Sequence, residues 1–259
     1  MVSYHMFFYF GGYMKIKDIY NILDTISPFS LQEDWDNSGL IVGSFEDKFS
    51  KVYISLDLDL NLLNDIEANS LIITHHPLIF KPLKKVNYNN YSSKILKILI
   101  KKDIKLISMH TNFDKTHLNS YVGKLLGFDF KQKSDFILEA KVNISFEALQ
   151  KQVADKLNLN TIKVTEAKKD IKSISLCTGA GMSLLPEIKT DCFLTGDIKY
   201  HEAMEAKTLG ISLIDIGHFE SEILFSEILY KLIKKYLKKN KIKGIILTSQ
   251  NPFKYIKGK

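Results

Sequence analysis

Short apolar runs rich in β-branched residues alternate along this chain with longer stretches whose apolar positions recur every three or four residues. A period near two marks strands and a period near 3.6 marks helices, so the alternation predicts an α/β fold. Residues 15–26 place Ile16, Ile19, Tyr20 and Leu23 on one helical face. That helix should stop at Ser27-Pro28, because proline disfavours a helical residue before it. Residues 51–56 read as a strand and 60–68 as the helix that follows. The compact run 71–74 predicts a buried strand, 92–101 a helix among lysines, and 104–109 a second buried strand. A helix over 118–126 should end at Gly127, a natural C-cap.

Beyond Gly127 the rhythm changes. Residues 131–142 alternate and are polar, and 146–157 form an amphipathic helix. Strands are expected at 162–164, 174–177, 192–194 and 213–216, a long helix over 220–237, and a last strand at 244–248. This divides the chain into a first α/β lobe of residues 14–126 plus 215–259 and a second of 127–214. Residues 1–13, with Phe7, Phe8, Tyr9 and Phe10, lack the basic flank and cleavage site of a secretory signal. They read as an N-terminal extension, or as an upstream mis-start.

With 259 residues, 45% hydrophobic and 25% charged, the chain can bury a core, and wholesale disorder is excluded. No run approaches the roughly 20 apolar residues of a membrane span. Cys177 and Cys192 are too few for a disulfide framework or a cysteine zinc site, which makes a reducing cytoplasm the default expectation.

The net charge of +7 is local. Ten lysines and no acids fall in 231–259, and the other 230 residues hold 26 lysines against 29 acids. There is no arginine, the side chain that reads base edges and grips phosphates with a planar fork. Sequence-specific nucleic-acid binding therefore lacks its usual tool. A solvated helix face accounts for the lysines, while non-specific phosphate attraction by the tail stays open.

The histidines carry the chemistry. His75-His76 closes the run 71–74 just before Pro77. In parallel sheets ligands gather at that carboxyl end. Adjacent strand residues face opposite sides, so both rings can serve one site only if the chain turns there. His110-Thr111-Asn112-Phe113-Asp114 follows the strand 104–109, and His218 and Glu222, four apart after the strand 213–216, would share a helical face. Each group alone could be structural, His110 as a packed core residue included. Together, His75, His76, Asp114, His218 and Glu222 offer imidazole and carboxylate donors suited to zinc, iron or manganese. Five donors leave open positions for water on two ions.

Trp35-Asp36-Asn37-Ser38-Gly39-Leu40, Thr74-His75-His76-Pro77-Leu78, His110-Thr111-Asn112-Phe113-Asp114, Thr195-Gly196-Asp197-Ile198-Lys199-Tyr200-His201-Glu202-Ala203 and Gly217-His218-Phe219-Glu220-Ser221-Glu222 occur in this order. In these motifs the chain, from about Met14 onward, resembles the GTP cyclohydrolase I type 2-like, or NIF-three-like, family of dinuclear metal-centre proteins. The resemblance implies two α/β lobes, the second inserted into the first, and a toroidal homohexamer. It also implies two divalent ions per chain held by His75, His76, Asp114, His218 and Glu222. Tyr200 stands where many relatives carry the first of two histidines. His201 is a candidate general acid or base, or alternatively a surface helix histidine. Asp36 and Asn37 either hydrogen-bond metal ligands or simply shape a turn, and Gly179-Ala180-Gly181 either packs tightly or approaches a phosphate.

The function these expectations describe is metal-dependent hydrolysis, of the kind that opens a purine ring with an activated water. The alternative is a non-catalytic hexamer that traffics or stores metal. A nucleotide or another small molecule is the expected substrate.

Overall fold

The computed structural model describes residues 12–256, so Phe7 to Phe10 of the expected N-terminal extension lie outside it. The chain forms two compact α/β units. One runs up to His110 and resumes over Leu229–Ser249; the other comprises Thr111–Ile228 and the described residues from Gln250 on.

The first unit is built on a five-stranded sheet in the order Lys243–Ile246, Lys51–Ser55, Leu71–Thr74, Lys105–Ser108, Gly39–Val42. The first four strands are parallel and Gly39–Val42 is an antiparallel edge. Each central strand is apolar at successive positions, as a sheet covered on both faces requires. Tyr53, Ile72 and Leu106 from the sheet pack with Ile95 and Leu99 of helix Tyr91–Lys101. Asn90 starts that helix by accepting the Ser93 backbone N–H at 3.0 Å. Helix Ile16–Ile26 buries Ile16, Ile19 and Leu23, the stripe its spacing predicts.

The second unit holds a six-stranded mixed sheet in the order Lys131–Gln132, Leu138–Ser145, Asp170–Leu176, Cys192–Thr195, Ser212–Asp215, Lys163–Thr165. The Asp170–Leu176, Cys192–Thr195 and Ser212–Asp215 strands run parallel, with antiparallel partners outside them. Helices Asn119–Leu126 and Phe146–Leu157 follow the expected pattern, and Gly127 closes the first with φ 80°.

Three local differences have physical causes. Only Leu62–Asn64 of the expected helix 60–68 forms, as a single 3₁₀ turn. Asp59 Oδ1 accepts the backbone N–H of Asn61 and Leu62, and Asn61, Asn64 and Asp65 are poor helix formers. The helix expected over 220–237 is two helices, His218–Glu222 and Phe225–Lys239. Ser221 Oγ bonds back to the His218 carbonyl at 2.9 Å and accepts the Gly179 N–H at 3.0 Å, a side-chain competition that disturbs the helical ladder. Helix Tyr200–Thr208 buries only Ala206 and so has no apolar stripe to announce it.

Composition rhythm drew the unit edges at 126/127 and 214/215, whereas packing draws them at 110/111 and 228/229. The strand Ser212–Asp215, which the 214/215 edge would cut at its last residue, lies whole in the second sheet through its pairing with Cys192–Thr195. Among the described residues, no helix is long and apolar enough to cross a membrane.

Candidate metal centre

Parallel register assembles the first set of donors. Ser55 pairs with Thr74 and Thr74 with Ser108, so three strands end level. Thr74 Oγ1 lies 2.9 Å from Ser108 Oγ and donates to the His76 carbonyl at 2.9 Å, which turns the chain as it leaves the sheet. The turn brings both imidazoles to one side: the His75 and His76 ring centroids are 4.9 Å apart. His110 joins them from the next strand, 5.2 Å from His75 and 5.4 Å from His76. One nitrogen from each of these three rings lies within 4.8 Å of the others, an arrangement able to hold a metal ion.

The second unit repeats the device. Thr195 pairs with Asp215, and beyond these level ends stand Asp197 and His218. His218 and Glu222 do share a helical face, with Nε2 and Oε2 3.1 Å apart. Metal–ligand bonds of about 2.1 Å set neighbouring donors on one ion about 3 Å apart, so the pair suits one ion. Glu222 is buried and packs against the Gly179 backbone, where a Cβ would meet Oε1 at 2.2 Å. Asp114, also buried, opens a π-helical turn over Asp114–Leu118, a distortion frequent at functional sites.

Four histidines share one arrangement. Nδ1 of His75 lies 2.8 Å from the Met109 carbonyl, and Nδ1 of His76 lies 2.8 Å from Asp57 Oδ1. Nδ1 of His110 lies 2.7 Å from Asp36 Oδ1, and Nδ1 of His218 lies 2.7 Å from Asp197 Oδ2. A carbonyl or carboxylate oxygen can only accept, so each Nδ1 carries a proton; in the neutral rings of His75, His76 and His110 the lone pair then falls on Nε2, while Nε2 of His218 faces Glu222 Oε2. Such outer partners fix the tautomer and raise the basicity of metal-binding histidines.

The donor set is therefore imidazole nitrogen and carboxylate oxygen, which fits zinc, iron or manganese. Burial pushes the Cys177 thiol upward, and the charges of Asp114 and Glu222 push it further, so it stays protonated and is no thiolate ligand. Burial likewise raises the Cys192 thiol.

His201 sits on the first turn of helix Tyr200–Thr208, exposed, its ring edge-on to Tyr200 at 5.2 Å. Asp36 accepts from His110, a histidine outside the expected ligand set, and from the Asn37 N–H and Ser38 Oγ of its own turn. The Gly179 loop packs on Glu222 and, at Gly181, against Thr195 and Cys177. Three residues went unread in the sequence: His110 as a partner of His75 and His76, and Asp57 and Asp197 as supports. Each lies within two residues of a parallel strand's carboxyl end, which was the available signal.

The family model Duf34/NIF3 (NGG1p interacting factor 3) matches residues 14–252. A Campylobacter jejuni protein named GTP cyclohydrolase 1 type 2 homolog is 50% identical over 244 residues, covering 93% of this chain and all of that protein. A Helicobacter pylori protein named GTP cyclohydrolase 1 type 2 is 44% identical over 224 residues, 85% of this chain and 92% of that one. The crystal structure of a Staphylococcus aureus protein superposes with a TM-score of 0.82 at 28% identity, covering 94% of this chain and 99% of that one.

Proposed function

The chain belongs to the Duf34/NIF3 family, and we propose that it is a metal-dependent hydrolase acting on a purine nucleotide such as GTP. The observation that carries this reading is that Nδ1 of His75, His76, His110 and His218 each lies within 2.8 Å of a carbonyl or carboxylate oxygen, which leaves Nε2 as the nitrogen for a metal. The curated relatives named for GTP cyclohydrolase support the substrate class.

In this reading His75, His76, Asp114, His218 and Glu222 hold two divalent ions. When bound, such ions lower the pKa of water and stabilise charge developing on an oxygen-rich substrate. The chain's own contribution is to fix the ligands. Met109, Asp57 and Asp197 orient the imidazoles, and the Gly179 backbone keeps Glu222 in place. His201, exposed on the first turn of its helix, exchanges protons with the substrate as general acid or base. The working form is a homohexamer, as the family resemblance implies.

Metal content per chain and GTP turnover, measured on the full chain and on His75→Ala/His218→Ala and His201→Ala, test this. About two ions per chain, lost in the double variant, with turnover lost in His201→Ala while metal remains, is the expected result. Bound metal that exchanges readily, with no turnover above that of the free ion, would instead make the protein a metal carrier. Light scattering of the purified chain checks the hexamer.

A further inference from the structure

Two exposed aromatic rings flank the three-imidazole cluster. Trp35 is 57% exposed and Phe80 42%, and as neighbours they form one continuous aromatic patch rather than scattered side chains. Their ring centroids are 5.8 Å apart, inclined at 58°, so neither stacks on the other. Both meet His110, at 6.2 Å from Trp35 and 6.1 Å from Phe80, with the rings edge-on.

The two rings are held in place by a polar net. The Asp36 carboxylate, next to Trp35, is fully buried. Its Oδ1 accepts from His110 Nδ1 and from the Asn37 N–H, both at 2.7 Å, and its Oδ2 accepts from Ser38 Oγ at 3.2 Å. Ser38 Oγ in turn accepts the His110 N–H at 3.0 Å. Asn37 Nδ2 donates to the carbonyl of Ile79, the residue before Phe80. The segment carrying Trp35 is thus tied both to the histidine cluster and to the segment carrying Phe80. Burying a carboxylate costs stability, and here it keeps two exposed rings at a constant distance from the His75–His76–His110 cluster.

We propose that Trp35 and Phe80 form a stacking platform for the purine base of the substrate, positioning its ring beside the His75–His76–His110 cluster. The inference rests on the nucleotide reading above and adds the residues that select a flat fused ring. A base stacked on Trp35 lies within reach of the imidazoles, whereas a phosphate chain gains nothing from either aromatic face. Trp35 and Phe80 are specificity-determining residues in this scheme, and the metal ligands do not depend on them.

Trp35 is the chain's one tryptophan, so its fluorescence reports on this ring alone. Full-length protein is titrated with GTP and, separately, with inorganic tripolyphosphate, exciting beyond nucleotide absorption. Saturable quenching by GTP and none by tripolyphosphate is expected. Equilibrium dialysis should show GTP affinity falling about tenfold or more in Trp35→Ala and Phe80→Ala, restored in Trp35→Phe, with metal content unchanged. Equal quenching by tripolyphosphate, no saturable quenching by GTP, or undiminished affinity in Trp35→Ala overturns the proposal. So does a drop in assembled mass in Trp35→Ala at constant GTP affinity, which assigns the pair to an interface between copies. Base-dependent quenching without turnover would sink the hydrolase reading and leave the platform standing; turnover without quenching would do the reverse.

Discussion

A Cβ on Gly179 would stand 2.2 Å from Oε1 of Glu222. Gly179 also has φ 66°, a left-handed conformation that costs a residue with a side chain about 1–2 kcal/mol. This glycine is therefore required twice, once by the backbone and once by the carboxylate it faces. Gly179→Ala should displace Glu222 and lower metal affinity at least about tenfold, with a lower melting temperature. Metal titration and thermal unfolding of the same preparation check it; an unchanged metal affinity would mean that Glu222 is not a ligand.

The supporting carboxylates give a sharper separation of binding from stability. Asp57 and Asp197 are 46% and 57% exposed, so they add little to folding. Asparagine preserves their shape and, at Asp197, tolerates the left-handed φ of 56°. It removes the charge that keeps the proton on Nδ1 of His76 or His218. Asp57→Asn and Asp197→Asn should each weaken metal binding about 10- to 100-fold in competition with a chelator, at nearly constant thermal stability.

Both cysteines should be silent to thiol reagents in the folded protein. Burial raises each thiol, and at Cys177 Asp114 and Glu222 add to the effect, so the reactive thiolate is scarce at neutral pH. Labelling with a disulfide reagent is expected to count about zero thiols before denaturation and both after it. Rapid native labelling of Cys177 would contradict its place beside the two carboxylates.

His117 supplies a pH dependence. Burial lowers its pKa from the ordinary 6.5, and its ring stacks on Phe113 at 5.0 Å. Below 6.5 the unfolded chain binds this proton before the folded one does. The stabilisation is thus fully present above pH 6.5 and is lost as pH falls through the lowered folded value. An NMR titration should place the His117 transition below 6.5, and His117→Gln should flatten that part of the stability profile.

Much of this organisation was legible from local pattern. The run 71–74 ends where strand Leu71–Thr74 ends, the helix Phe146–Leu157 has the predicted bounds, and His218 and Glu222 share a face because four residues nearly complete a helical turn. The Trp35 segment was legible as turn chemistry or as support for metal ligands, but not its actual partners, His110 and Ile79, which lie far along the chain.

Side-chain periodicity and turn residues are local, and they determined the α/β class, most elements, and the positions of His75, His76, His110 and His218 just past strands. Strand order and register are not local. They decided that His110 stands beside His75 and His76, that Asp57 lies behind His76 and Asp197 behind His218, and that the strand before His218 joins the second sheet. Those pairings depend on which strands the whole chain brings side by side to bury their apolar faces, and no window of sequence contains that competition.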